Sequence, residues 1–260
     1  MKKFVAIALL AVAGFAFMNL DCVIPTGEVR NLSYEPLEEG AKAKITWDAP
    51  AEGTPDEYVV SVDGVDQVAV TTTYDMVNIP AKEIKVYAVT SGTKSTGVTL
   101  DFAVVETPTL DVWTVNDPSA THPSGFGFSA AGTAASYSVA NNPENCDFYI
   151  SMGQSGNTPT LTSPSDHTPN PLNSRYGWSV QTTEDYAGLD LVVSSATSTQ
   201  TALSNNGTYG IIVGTGTAYA TTDNFGKVYV TALADQGSNI YKATLKLGYQ
   251  LKDGIAWVME

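Results

Sequence analysis

Apolar and polar residues alternate in short runs along this chain, and turn residues break the runs before a long helix could form. Residues 41–47 set Ala41, Ala43, Ile45 and Trp47 on one face and Lys42, Lys44 and Thr46 on the other. That is the period-2 pattern of a half-buried strand. Asp48-Ala49-Pro50 stops it. Tyr58, Val60 and Val62 alternate again, Asp63-Gly64 has the chemistry of a two-residue hairpin turn, and residues 65–73 read as the returning strand. Ile84, Val86 and Ala88 share a face opposite Tyr87 and Val89. With runs at 29–34 and 98–104, the region from 27 to 105 has the short-strand series of an immunoglobulin-like sandwich.

Glu106-Thr107-Pro108-Thr109 reads as a linker, because proline cannot donate to a strand ladder. Past it, the pattern predicts strands at 110–115, 125–129, 136–140, 147–152, 176–181, 189–194, 208–213, 218–222, 227–233, 240–249 and 255–258. A proline-rich loop over 153–174 exceeds the usual length of a structureless connection. The expected architecture is therefore all-β: a small sandwich over 27–105, then a larger β-sandwich or jelly-roll-like unit over 110–260. The last two runs read as a hairpin ending abruptly at Glu260, either a core or edge hairpin of the sheet or an open edge suited to self-assembly.

The N-terminus breaks the pattern. Lys2 and Lys3 precede an apolar run over 4–17 with small residues near its end. The run is short of the roughly 20 residues a membrane span needs and reads as a signal peptide ending near residue 21. No later run is long and apolar enough to span a bilayer, so the mature chain is expected outside the cell or in its envelope. Cys22 sits where a lipoprotein would be acylated, but Asn19 and Asp21 depart from a lipobox. A Cys22–Cys146 disulfide is chemically allowed in an exported chain, and two unpaired thiols are the alternative.

Ile45-Thr46-Trp47-Asp48-Ala49-Pro50, Tyr58-Val59-Val60-Ser61-Val62 and Ile84-Lys85-Val86-Tyr87-Ala88-Val89-Thr90 resemble, in that order, the second, third and sixth strands of fibronectin type III domains. The family's corner tyrosine, due near Lys82, has no counterpart here. The resemblance covers the first third of the chain and implies a spacer or protein-contact module. The integrin-binding tripeptide that some members carry is replaced by Ser91-Gly92-Thr93-Lys94-Ser95.

Charge narrows the partners. Charged residues make up 15% of the chain and the formal net charge is -14, so an acidic surface opposes nucleic acid. Protein or surface-glycan partners remain. The two histidines, His122 and His167, lie beside prolines in polar loops, and Ser163-Pro164-Ser165-Asp166-His167 groups triad residue types too closely to form a triad. No catalytic, cofactor or metal set can be assembled; Glu184-Asp185 and Asp223-Asn224 are candidate contributors to a calcium site. Trp113, Tyr176 and Trp178 are candidate ligand-stacking aromatics, with core filling as the alternative. The sequence points to an exported, non-enzymatic surface or structural protein acting in adhesion, docking or assembly. A carbohydrate-binding accessory protein is the second reading, and an extracellular hydrolase the third.

Overall fold

The computed structural model describes residues 26–153 and 158–260. The expected signal peptide and Cys22 lie outside them. The fold is all-β, with eighteen strands and three single-turn 3-10 helices among the described residues.

The first eight strands are β1 (Arg30–Leu37), β2 (Lys42–Asp48), β3 (Glu57–Val62), β4 (Val65–Asp66), β5 (Tyr74–Val77), β6 (Glu83–Thr90), β7 (Thr93–Lys94) and β8 (Val98–Asp101). They form two antiparallel sheets, β1-β2-β5 and β4-β3-β6, with β7 and β8 pairing opposite halves of β6. Ala43, Ile45 and Trp47 of β2 meet Tyr58, Val60 and Val62 of β3 and Ile84, Val86 and Ala88 of β6 in one buried core. The faces are those that the alternation assigned. This is a two-sheet antiparallel β-sandwich. Asp63 and Gly64 both have positive φ (49° and 80°) between the paired Val62 and Val65, as a tight hairpin requires. The carboxylate of Asp63 also accepts hydrogen bonds from the backbone N–H of Lys82 (2.9 Å) and Glu83 (2.8 Å). That carboxylate ties the hairpin turn to the start of β6. The expected strand over 65–73 is shorter than the alternation suggested. The regular strand ends at Asp66, with Gln67 and Val70 still hydrogen-bonded to β3, and Tyr74–Val77 pairs β2 in the other sheet.

Ten more strands follow: β9 (Val105–Trp113), β10 (Gly125–Phe128), β11 (Ala134–Tyr137), β12 (Phe148–Met152), β13 (Pro159–Thr162), β14 (Tyr176–Thr182), β15 (Gln200–Ala202), β16 (Thr208–Gly214), β17 (Asn224–Gly237) and β18 (Ile240–Tyr249). They make two five-stranded sheets, β11-β10-β12-β13-β15 and β14-β16-β17-β18-β9. Between them, Phe126, Phe148, Ile150 and Leu161 pack against Tyr209, Ile211, Val228, Val230, Leu245 and Leu247.

Four expectations need correction. The linker over 106–109 is strand: β9 pairs β18 through Glu106 and Thr107, and the register slips between Leu245 and Leu247, opposite Pro108. Proline is tolerated there because β9 is an edge strand and the slip is a bulge. The proline-rich stretch is not a structureless loop, since Pro159–Thr162 is a buried strand of the second sheet. Residues 189–194 and 218–222 form no strand. Finally, the C-terminal strands form no open edge. β18 lies between β17 and β9 and is paired on both sides, so it cannot be donated to a neighbour.

Residues 255–258 do not return beside β18. They run between the two sandwiches, and their alternation serves two cores: Ile255 and Trp257 enter the first, while Ala256 and Val258 join Val104, Leu189, Val192, Ile212 and Phe225 in another. The Trp257 ring is fully buried 5.1 Å from that of Phe102, and its Nε1 donates to the Ala41 carbonyl at 3.0 Å. The segment's backbone is satisfied from both sides. Ala256 N–H donates to Gly40, Val192 N–H to Ala256, and Val258 N–H to Asp190. Gly40 has φ +85°, and a Cβ there would lie 2.2 Å from the Gly254 carbonyl oxygen, so glycine alone fits this contact.

The outer face of the larger sheet is also fastened. Lys227, fully buried on β17, donates to the Tyr186 carbonyl at 2.8 Å and lies 4.4 Å from that residue's ring. Burial holds its ammonium below the ordinary value, against the pull of Glu260, Glu106 and Asp190. Lys246 bridges Glu106 (3.0 Å) and Glu260 (3.1 Å), tying the chain's last residue to the β9 edge.

Trp257→Ala is expected to cost about 3–5 kcal/mol, the usual cost of emptying a core tryptophan site, and to loosen the first sandwich although the residue lies 150 positions or more beyond it in sequence. Urea unfolding followed by tryptophan fluorescence and circular dichroism checks this; an unchanged midpoint would contradict the contact.

Candidate functional site

The three aromatics singled out for stacking do not form one surface. Tyr176 and Trp178 share a face of β14, with rings 5.8 Å apart and 22° from parallel, and Trp178 packs partly against the core that holds Val258. Trp113 stands on β9, at the opposite edge of the same sheet. Four strand steps at about 4.8 Å separate the two edges by roughly 19 Å. One face of Trp113 is covered by His122, stacked at 4.3 Å and 10°, whose Nδ1 lies 2.7 Å from the Asp117 carboxylate. Lys242 approaches the same indole at 5.1 Å and pairs with Asp111 at 2.7 Å.

The Ser163–His167 stretch is a local turn. Ser163 is fully buried, caps the 3-10 turn Pro164–Asp166, and accepts from the Gly177 N–H at 3.0 Å. His167 Nδ1 donates to the Asn170 carbonyl at 2.9 Å rather than to a carboxylate. Cys146 is buried, and burial with help from Asp147 and Glu144 pushes its thiol up to about 12. A thiol so shielded is inert at neutral pH. Among the described residues, no group of three or more His, Cys, Asp or Glu side chains is placed to hold a metal. No described helix is long and apolar enough to cross a membrane.

Two other surfaces have more shape, the second of them lined in part by Asp223 and Asn224, which the sequence offered for a calcium site. The first is an apolar edge. Of the seven large hydrophobic side chains exposed among the described residues, five fall within 65–79: Val65, Val68, Tyr74, Met76 and Ile79. Three of them, Val68, Met76 and Ile79, line a groove of about 350 Å³ together with Val62, Val70 and Val77. β5 runs along it, paired to β2 on one side and to no described strand on the other. Its free side offers unpaired backbone donors and acceptors, the template for strand addition. The alternation of Tyr74 with Met76 was the available signal, but placing the strand at 65–73 hid it.

The second is a cleft of about 610 Å³ at one end of the larger sandwich, where Phe128, Asp147, Arg175, Gly214, Asp223 and Tyr249 converge. The Asp147 carboxylate is buried; it pairs with the Arg175 guanidinium and accepts from the Phe128 N–H at 2.7 Å. Burial raises its pKa, against those two partners. Asp223 is 2% exposed. Its Oδ2 accepts from the Ala220 N–H at 2.8 Å, while Oδ1 makes no hydrogen bond to a described residue. Gly214 makes room for it, since a Cβ there would lie 2.4 Å from Oδ1. The Tyr249 ring stacks on Phe128 at 4.1 Å and 13°, and its hydroxyl likewise has no described partner. Asn224 Nδ2 donates to Asp253 at 2.9 Å at the rim.

Burial raises the Asp223 pKa, and the Ala220 N–H only partly offsets this. A raised folded-state pKa means that the folded chain favours the protonated acid. This stabilisation is complete below the ordinary carboxylate range and is lost as pH rises through the folded pKa. Asp223→Asn, which keeps the shape without the charge, is therefore expected to melt above the parent at neutral pH, with the gap closing in acid. Melting curves across that range check the sign; a lower melting temperature at neutral pH would contradict it.

No family model matches this chain, and no curated protein does. Among solved structures it is similar to the central fibronectin III array of RIM-binding protein, at 15% identity over 82% of this chain and 74% of that one, with a TM-score of 0.25. At that score the fold rests on the strand pairings and cores described above.

Proposed function

We propose that this protein is an exported, non-enzymatic surface or structural protein that works by docking, with the β5 edge of its fibronectin III-like sandwich as the contact element. The clustering of exposed Val68, Met76 and Ile79 in one groove beside an unpaired strand edge supports this reading. Isolated surface hydrophobics are ordinary, but a contiguous group beside an open edge is a feature of interaction sites. The occupant is an extended segment of another protein, apolar on alternate residues and carrying basic side chains. A second copy would bring a net charge of -14 against another of -14, which long-range repulsion disfavours. Adhesion or assembly in the envelope follows from such docking, and the N-terminal leader accounts for export.

A photo-crosslinking residue placed at Met76 in the native host tests the reading, with Gln236 on the distant β17–β18 hairpin as control. The expected result is a discrete adduct with a different protein in the envelope or medium fraction. It should form from position 76 only and be lost on Ile79→Lys. An adduct with a second copy, or equal labelling from both positions, would contradict it. Intact-mass measurement of the same exported material should show a chain that has lost its N-terminal run; a chain beginning at Met1 would contradict export through a cleaved leader.

A further inference from the structure

The cleft at the end of the larger sandwich is lined by residues that are themselves largely buried but keep polar atoms open to it. Asp223, 2% exposed, and Tyr249, 8% exposed, line this space, and neither Asp223 Oδ1 nor the Tyr249 hydroxyl has a described protein partner, so both are free to bond a ligand in place of water. The Arg175 guanidinium is compensated by Asp147 and keeps further N–H donors to offer, and the Asp223 and rim Asp253 carboxylates oppose an anion. Donors and acceptors are interleaved: Arg175 donates, the Asp223 and Asp253 carboxylates accept, and the Tyr249 hydroxyl does both. Phe128, Val213 and Leu251 supply an apolar wall. A ligand matching this lining has several hydroxyls, each able to donate and accept, on a compact frame with apolar C–H faces. The volume of about 610 Å³ falls within the range of small-molecule clefts.

The geometry points to this cleft as a binding site for a neutral saccharide, held by Asp223 Oδ1, the Tyr249 hydroxyl and the Arg175 guanidinium. Sugar hydroxyls donate to the carboxylate and accept from the guanidinium, while a ring face lies on the apolar wall. The site is separate from the β5 docking edge, and it uses none of Trp113, Tyr176 or Trp178. Gly214 is part of its construction because any side chain there would displace the Asp223 carboxylate.

Saturation-transfer NMR on the full mature chain tests the assignment. The probes are glucose, galactose, mannose, N-acetylglucosamine, maltose, cellobiose and lactose, with glucosamine and glucuronate as charged comparators; calorimetry then gives Kd for those that bind. At least one neutral sugar is expected to bind more tightly than either comparator. Asp223→Asn and Tyr249→Phe are each expected to weaken that binding by about tenfold or more, the scale of one lost hydrogen bond to a charged or buried group, and Trp113→Ala is expected to leave it unchanged. Tyr249→Phe removes a single oxygen and keeps the stacked ring, so it decides the matter if Asp223→Asn folds poorly. The assignment is overturned if no neutral sugar binds, if a charged comparator is preferred, or if Tyr249→Phe leaves the affinity unchanged.

Discussion

Four residues near the C-terminus hold the two sandwiches in contact. Residues 255–258 follow the simplest rule of extended chain, that successive side chains point opposite ways, and here the two directions lead into two different cores. Ile255 and Trp257 complete the interior of the sandwich built from the first strands. Ala256 and Val258 complete a layer formed by residues of the larger one. Gln250 reinforces the joint: its fully buried amide donates to the carbonyls of Phe102 and Trp257, one on each partner of the aromatic contact. The Gly40 turn accepts the segment at a distance no side chain permits. A connection of this kind transmits strain, because displacing Trp257 opens a void in a core made almost wholly of residues before 105.

The functional surfaces inherit this arrangement. The β5 edge lies on the first sandwich, and the cleft proposed to take a saccharide at one end of the second. Asp253, at the rim of the cleft, lies two residues before Ile255, and the Gly254 N–H donates to the Asp223 carbonyl at 2.7 Å. The turn that sends the chain into the first core thus also supports the backbone of the buried carboxylate. Asp223 is costly to hold ionised, and such a position is one where stability and binding pull in opposite directions.

Much of the fold was legible in the sequence because its signals are local. The alternation in 41–47, 58–62 and 84–88 named the buried faces of β2, β3 and β6, and Asp63-Gly64 named its turn. What escaped was set by tertiary context. Pro108 looks like a break until it is seen opposite a bulge on an edge strand. Pro159 introduces a buried strand because the residues after it pair with β12 and β15. Residues 255–258 alternate as a hairpin strand would, and periodicity alone cannot say which cores the two faces enter. The candidate sites were less legible still. Trp113, Tyr176 and Trp178 were chosen by type, whereas the cleft gathers Asp147, Arg175, Asp223 and Tyr249 from four separate strands and loops, with nothing in their spacing to announce it.

Native-state hydrogen exchange on the full mature chain tests the joint most directly. If residues 255–258 bind the sandwiches into one cooperative unit, the slowest amides of β2 and β6 and those of β16 and β17 will open with the same free energy and the same denaturant dependence. Two distinct ceilings, with the first sandwich opening while the second and residues 255–258 stay protected, would contradict the account.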